Sequence, residues 1–248
     1  MPRLDVAIET RDGICPASVF TPSEPGDSWP AVIFYMDGFG IRPVLWEMGQ
    51  LLADGGYSVL LPDLYYRLGR YPPASPSEIL ADPKLREGLM QRVTSLDRVR
   101  KISDTAAFID FLSSRPEVNG DRFGATGYCM GGNAALTAAG VFPDRFAAVA
   151  SFHGGNLATD QPDSPHRFVG AITGRVYVAG AVEDTSFPEE QKQRLEAALT
   201  AAGVDHLVET YPGARHGFAV SDVLAFDPAA AERHWAASFK LFRESFER

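Results

Sequence analysis

Cysteine is nearly absent from this chain: 248 residues hold only two, Cys15 and Cys129. They make no spacing that suggests a zinc site, and a lone pair without a signal peptide reads as reduced thiols. Positive charge is also scarce. Lys and Arg number 23 against 32 Asp and Glu, a net charge of −9, which argues against nucleic acid or an anionic membrane as partner. No run of about 18 apolar residues occurs anywhere. The first residues, Met1-Pro2-Arg3-Leu4-Asp5, lack the apolar core of a secretory signal. A cytoplasmic protein with no membrane partner is expected. The five histidines, at 153, 166, 206, 216 and 234, lack the i, i+4 helical pairing of a metallohydrolase. No metal and no other cofactor is expected. No internal repeat, low-complexity segment or composition shift divides the chain, so residues 1–248 read as a single domain.

Apolar residues are plentiful enough, at 45%, for one core that needs neither disulfide nor metal. Leu4 to Glu9 and Ile14 to Phe20 alternate as a hairpin around Arg11-Asp12-Gly13. Ala31 to Met36 is a continuous apolar run, as in a strand buried on both faces. Val44 to Asp54 has helical spacing and stops at Gly55-Gly56. Tyr57 to Leu61 is the next strand, which makes a βαβ unit and a mainly parallel sheet. Leu64 to Pro83, rich in Tyr, Arg and Pro, has no period and reads as a long loop over the carboxyl edge of the sheet. Lys84 to Arg115 reads as two helical pieces. Strands follow at Arg122–Thr126, Phe146–Phe152, Arg175–Gly180 and His206–Tyr211, with helices at Pro188–Ala202 and from Asp227 to about Phe246.

The most informative stretch is Gly127-Tyr128-Cys129-Met130-Gly131-Gly132. A short strand precedes it and helix-forming residues follow, Asn133 to Ala139. Strand, Gly-x-Cys-x-Gly, helix is the nucleophile-elbow pattern with cysteine in place of serine. Two other readings compete. Free cysteine is often simply buried. Thr126-Gly127-x-x-x-Gly131 also echoes a dinucleotide-binding turn, but that turn belongs after the first strand, with a glycine where Asn133 stands. The flanks favour the elbow. Cys129 follows one strand, Asp184 a later one and His216 the last, which is the chain order of an α/β-hydrolase triad. Loops at the carboxyl edge of a parallel sheet bring such distant residues together.

With these motifs in hand, the chain resembles the dienelactone hydrolase family from about Ala31 to His216. The carrying residues are Met36-Asp37-Gly38-Phe39-Gly40, Leu61-Pro62-Asp63-Leu64-Tyr65, the elbow, Glu183-Asp184 and His216-Gly217-Phe218. The resemblance implies an α/β-hydrolase fold: a mainly parallel central sheet with helices on both faces, here with the N-terminal hairpin. It implies Cys129 as nucleophile, His216 as base and Asp184 as the residue that orients it. It also puts Asp37 where the family places an acid that switches the resting thiol to thiolate. Aspartate is one methylene shorter than the family's usual glutamate. The dienelactone-cleaving members hold the substrate carboxylate with two arginines. One of their positions is Val220 here, and the other falls near Arg86.

The expected chemistry is attack of the Cys129 sulfur on the carbonyl of a small ester or lactone, with a thioester intermediate. The oxyanion falls between the backbone N–H groups of Met130 and Gly38. Arg86, His153 and Tyr65 are candidate substrate contacts. The expected partner is a small molecule, and the expected state a monomer or weak homodimer. Open alternatives are a carboxylesterase without lactone preference, and a non-catalytic or redox protein on the same fold.

Overall fold

Residues 31–36 run apolar without a break because the strand they form lies inside the sheet. In the computed structural model, which describes residues 3–24, 26–69, 71 and 74–247, that strand is β3 (Trp29–Tyr35). Its last five residues, Ala31 to Tyr35, are all buried. The hairpin forms as expected: β1 (Arg3–Thr10) pairs antiparallel with β2 (Gly13–Phe20), and Thr10 faces Gly13 across the turn. Next come α1 (Pro43–Asp54) and β4 (Ser58–Pro62). The two helical pieces before the elbow are α3 (Pro83–Ser95) and α4 (Arg98–Ser113). Then follow β5 (Val118–Tyr128), α5 (Met130–Val141), β6 (Phe146–Phe152), β7 (Arg175–Gly180), α6 (Glu189–Ala202), β8 (His206–Thr210) and α7 (Pro228–Phe246). Among the described residues these strands form one sheet of eight, in the order β1-β2-β4-β3-β5-β6-β7-β8. It is parallel from β4 to β8 and antiparallel where β2 meets its two neighbours.

The segment expected as a loop, Leu64 to Pro83, contains a short helix, α2 (Pro76–Ala81). Ser75 caps it by accepting from the Glu78 N–H, and Glu78 accepts from the Ser75 N–H. This capping box was present in the sequence, masked by the Tyr, Arg and Pro around it. A turn of 3-10 helix (Tyr66–Leu68) is pinned from below: Arg67 forks onto buried Asp104 of α4 at 2.6 and 2.8 Å and reaches Asp12 of the hairpin turn. Arg70 lies outside the described residues.

Helices cover both faces. α5 packs on β5 and β6, with α4 against it. On the other face, Phe242 of α7 meets the Tyr57 ring at 5.8 Å and Phe239 sits against Gly55 after α1. No helix among the described residues is long and apolar enough to cross a membrane. What matters for chemistry is the point where strand order reverses. β3 leads through α1 to β4 on one side, and the chain returns to place β5 on the other. Ligands in open α/β sheets bind outside the carboxyl ends of strands at such a point.

Candidate active site

Strand register assembles the site. Tyr35 pairs with Gly127, so Asp37 and Cys129 leave neighbouring strands side by side. Tyr128 pairs with Phe152, and Phe152 with Ala179, which places His153 next in line. The Cys129 N–H bonds the Phe152 carbonyl at 3.2 Å, and the His153 N–H bonds that of Ala179 at 2.8 Å.

The turn holding Cys129 is as tight as its glycines imply. Cys129 has φ 56° and ψ −119°, a region disfavoured for any residue with a side chain. A Cβ on Gly127 would lie 2.0 Å from the Gly131 carbonyl oxygen, and one on Gly131 would lie 2.4 Å from the Met36 oxygen. Backbone atoms at those distances cannot step aside. Glycine is therefore required at both positions. α5 begins at Met130, directly behind the sulfur, so its N-terminal dipole and unpaired N–H groups face any charge at Cys129.

His216 joins Cys129 to Asp184. Its Nδ1 lies 2.8 Å from Asp184 Oδ2, and Cys129 stands close enough to the ring to add to its basicity. Burial disfavours the imidazolium, yet the bonds and charges of Asp184 and Cys129 outweigh it and push the His216 pKa up to about 10. Burial would raise the Asp184 carboxyl, but His216 holds it below its usual value. Asp184 is also fixed by the Ser186 N–H, which donates to Oδ1 at 2.9 Å.

Of the other expected site residues, Gly38 lies in the loop after β3, and its N–H has no acceptor among the described residues. Met130, at the first position of α5, likewise has no intrahelical acceptor for its N–H. Tyr65 is buried at 1% exposure, and its hydroxyl sits between the two loops, 2.8 Å from the Gly38 carbonyl and 3.3 Å from Met130 Sδ. It contacts both residues expected to supply oxyanion donors. His153 is equally buried, with φ 39°, and packs edge-on behind His216 at 5.2 Å between ring centroids. Its ring nitrogens have no hydrogen-bond partner among the described residues, and burial, reinforced by His216, keeps it neutral. Arg86 is exposed on α3. Val220 is fully buried. Cys15 is buried in the hairpin, its thiol against the Asp63 and Pro16 carbonyls, and burial pushes its pKa far up.

Asp37 has a partner that sequence reading did not find. Arg42, ahead of α1, takes both its oxygens, Nη1 to Oδ1 at 2.7 Å and Nη2 to Oδ2 at 2.8 Å. The same guanidinium forks onto Asp222, in the loop after His216. An arginine five residues after the acid was the only signal in the sequence.

A strand-order reversal, a Gly-x-Cys-x-Gly turn between β5 and α5, and a His–Asp pair from the following loops define an α/β-hydrolase fold. Solved structures agree. A provisionally named dienelactone hydrolase from Klebsiella pneumoniae superposes with a TM-score of 0.83, covering 97% of this chain and 98% of its own, at 22% identity. The model of the dienelactone hydrolase family matches residues 15–246, and the chain belongs to that family. Similar proteins include a provisionally named carboxymethylenebutenolidase of Synechocystis, 29% identical over 87% of this chain and 86% of its own. The carboxymethylenebutenolidase of Rhodococcus opacus is 26% identical over 93% and 87%. The protein is a hydrolase.

Proposed function

We propose that this hydrolase cleaves ester or lactone bonds of small molecules with Cys129 as nucleophile, His216 as base and Asp184 as its orienting partner. One observation carries the reading: a thiol on a strained elbow stands beside a histidine whose Nδ1 rests on a buried carboxylate at 2.8 Å. The Asp184 carboxylate on Nδ1 supports His216 as the cationic partner of a thiolate. The sulfur attacks the carbonyl carbon, and the C=O electron pair moves to oxygen, into the donors of Met130 and Gly38. The intermediate collapses to a thioester, and the departing alkoxide takes the proton from His216. Neutral His216 then accepts a proton from water as that water attacks the thioester, and thiolate leaves with the acid product. Thiolate is itself a good leaving group from the first intermediate, so esters and enol lactones suit this site and amides do not.

The test is Cys129→Ala with Cys129→Ser beside it. The alanine variant loses aryl-ester hydrolysis while keeping the wild-type circular dichroism. The serine variant also falls far below wild type, because an alcohol is a much weaker acid than a thiol. Rapid quenching of the wild type on a slow ester yields an acyl group on the Cys129 peptide. A folded Cys129→Ala enzyme with wild-type turnover would refute the assignment.

A further inference from the structure

Asp37 stands beside Cys129 by strand register, with 3% of its surface exposed. A buried acid next to a nucleophilic thiol has two stable arrangements. It can be protonated and share its proton with the sulfur, or it can be a carboxylate with a cation of its own. An unpaired carboxylate beside a thiolate is the arrangement that burial forbids.

The geometry around Arg42 selects the second arrangement. A guanidinium has five N–H donors, and all five are used. Nε and one Nη2 hydrogen reach the two Asp222 oxygens at 2.7 and 2.9 Å. The other Nη2 hydrogen and one Nη1 hydrogen reach the two Asp37 oxygens. The last Nη1 hydrogen reaches the Gly40 carbonyl at 3.1 Å. The Phe39 N–H adds a third donor to Asp37 at 3.0 Å. The Arg42 side chain is 11% exposed and the Asp37 side chain 5%. Paired forks of this kind are the strong form of ion pair and fix orientation as well as charge. The fork also ties the loop carrying the Gly38 donor to the loop carrying His216, since Asp222 lies in the latter.

We propose that Arg42 is a positioning residue that holds Asp37 as a paired carboxylate, so that Cys129 ionises against His216 in the substrate-free enzyme. The inference rests on Cys129 being the nucleophile. On this arrangement Asp37 exchanges no proton with the thiol, and Arg42 has no donor left for a substrate carboxylate. Lysine, with three donors, preserves the charge but not both forks.

The experiment measures alkylation of the substrate-free enzyme by iodoacetamide at pH 7, with the modified residue located by peptide mass. Cys15, fully buried, serves as an internal reporter: its alkylation marks unfolding. Wild type alkylates rapidly at Cys129. Arg42→Met leaves an unpaired buried carboxylate beside the sulfur, which disfavours thiolate, and Cys129 alkylation falls at least tenfold. Arg42→Gln, which keeps donors without charge, shows the same fall and serves if the methionine variant does not fold. Removing the carboxylate as well, in Arg42→Met/Asp37→Asn or Arg42→Gln/Asp37→Asn, returns the rate to within about threefold of wild type. Arg42→Lys retains at least a third of the wild-type rate. A role limited to loop structure would not be rescued by removing Asp37's charge. Wild-type alkylation in the neutral variants, a loss that Asp37→Asn does not reverse, or a lysine variant as slow as methionine overturns the proposal. A failure of the nucleophile reading looks different: wild-type Cys129 would resist alkylation, or its alkylation would leave ester hydrolysis intact.

Discussion

Replacing Asp184 by asparagine tests the His216 arrangement with almost no change in volume. The structure fixes which way the new amide points. Oδ1 accepts the Ser186 N–H at 2.9 Å, so the amide oxygen must occupy that position and the NH2 group must face His216 Nδ1. The Nδ1–H···O bond at 2.8 Å is thereby replaced by two opposed donors unless the imidazole changes tautomer. The new tautomer carries its proton on Nε2 when neutral and is no longer a base toward Cys129. A hydrogen bond to a charged group is worth about 1.5–3 kcal/mol. At about 1.4 kcal/mol per factor of ten, the thiolate–imidazolium pair loses about ten- to 150-fold in population, and the tautomer change lowers the rate further. kcat/KM for an aryl ester at pH 7 is therefore expected to fall by at least tenfold and most plainly in kcat, with Cys129 alkylation falling in parallel. An Asp184→Asn enzyme that keeps its fold and stays within twofold of wild type on both measures would refute the reasoning.

Other perturbations follow from the same geometry. Gly127→Ala places a methyl 2.0 Å from the Gly131 oxygen; a loss of at least about 3 kcal/mol in urea unfolding is expected, and a loss under about 1 kcal/mol would contradict the packing. His216 is raised to about 10 from an ordinary 6.5, so the folded state binds its proton more tightly than the unfolded chain. That stabilisation is fully present below about pH 6.5 and is lost as pH rises through about 10. The unfolding free energy of wild type relative to His216→Gln should shrink across that window, and a difference that grows with pH would reverse the sign. Finally, Val220 is buried and uncharged, Arg86 is exposed, and Arg67 and Arg42 are held by carboxylates. A lactone bearing a free carboxylate should be preferred over its methyl ester by less than about a hundredfold in kcat/KM, since each charged bond to a carboxylate contributes about 1.5–3 kcal/mol. A thousandfold preference would reveal a clamp elsewhere.

Much of this site was written in local pattern. The glycines around Cys129 are legible because an elbow excludes side chains through contacts within a few residues, and those contacts follow from the turn alone. Strand and helix positions followed from period and caps, and the order Cys129, Asp184, His216 needed only the knowledge that parallel strands share one edge. Tertiary structure decided the rest. Tyr65 and His153 are both buried, one against Gly38 and Met130 and the other against His216, a property no spacing encodes. Arg67 sits in a loop of basic and aromatic residues, and only the packing of that loop on α4 shows that Asp104 claims its charge. Arg42 lies 180 residues from Asp222. The pairing of a charge is set by which carboxylate lies within about 3 Å in space, and that distance exists only once the loops after β3 and β8 have been brought to the same edge of the sheet.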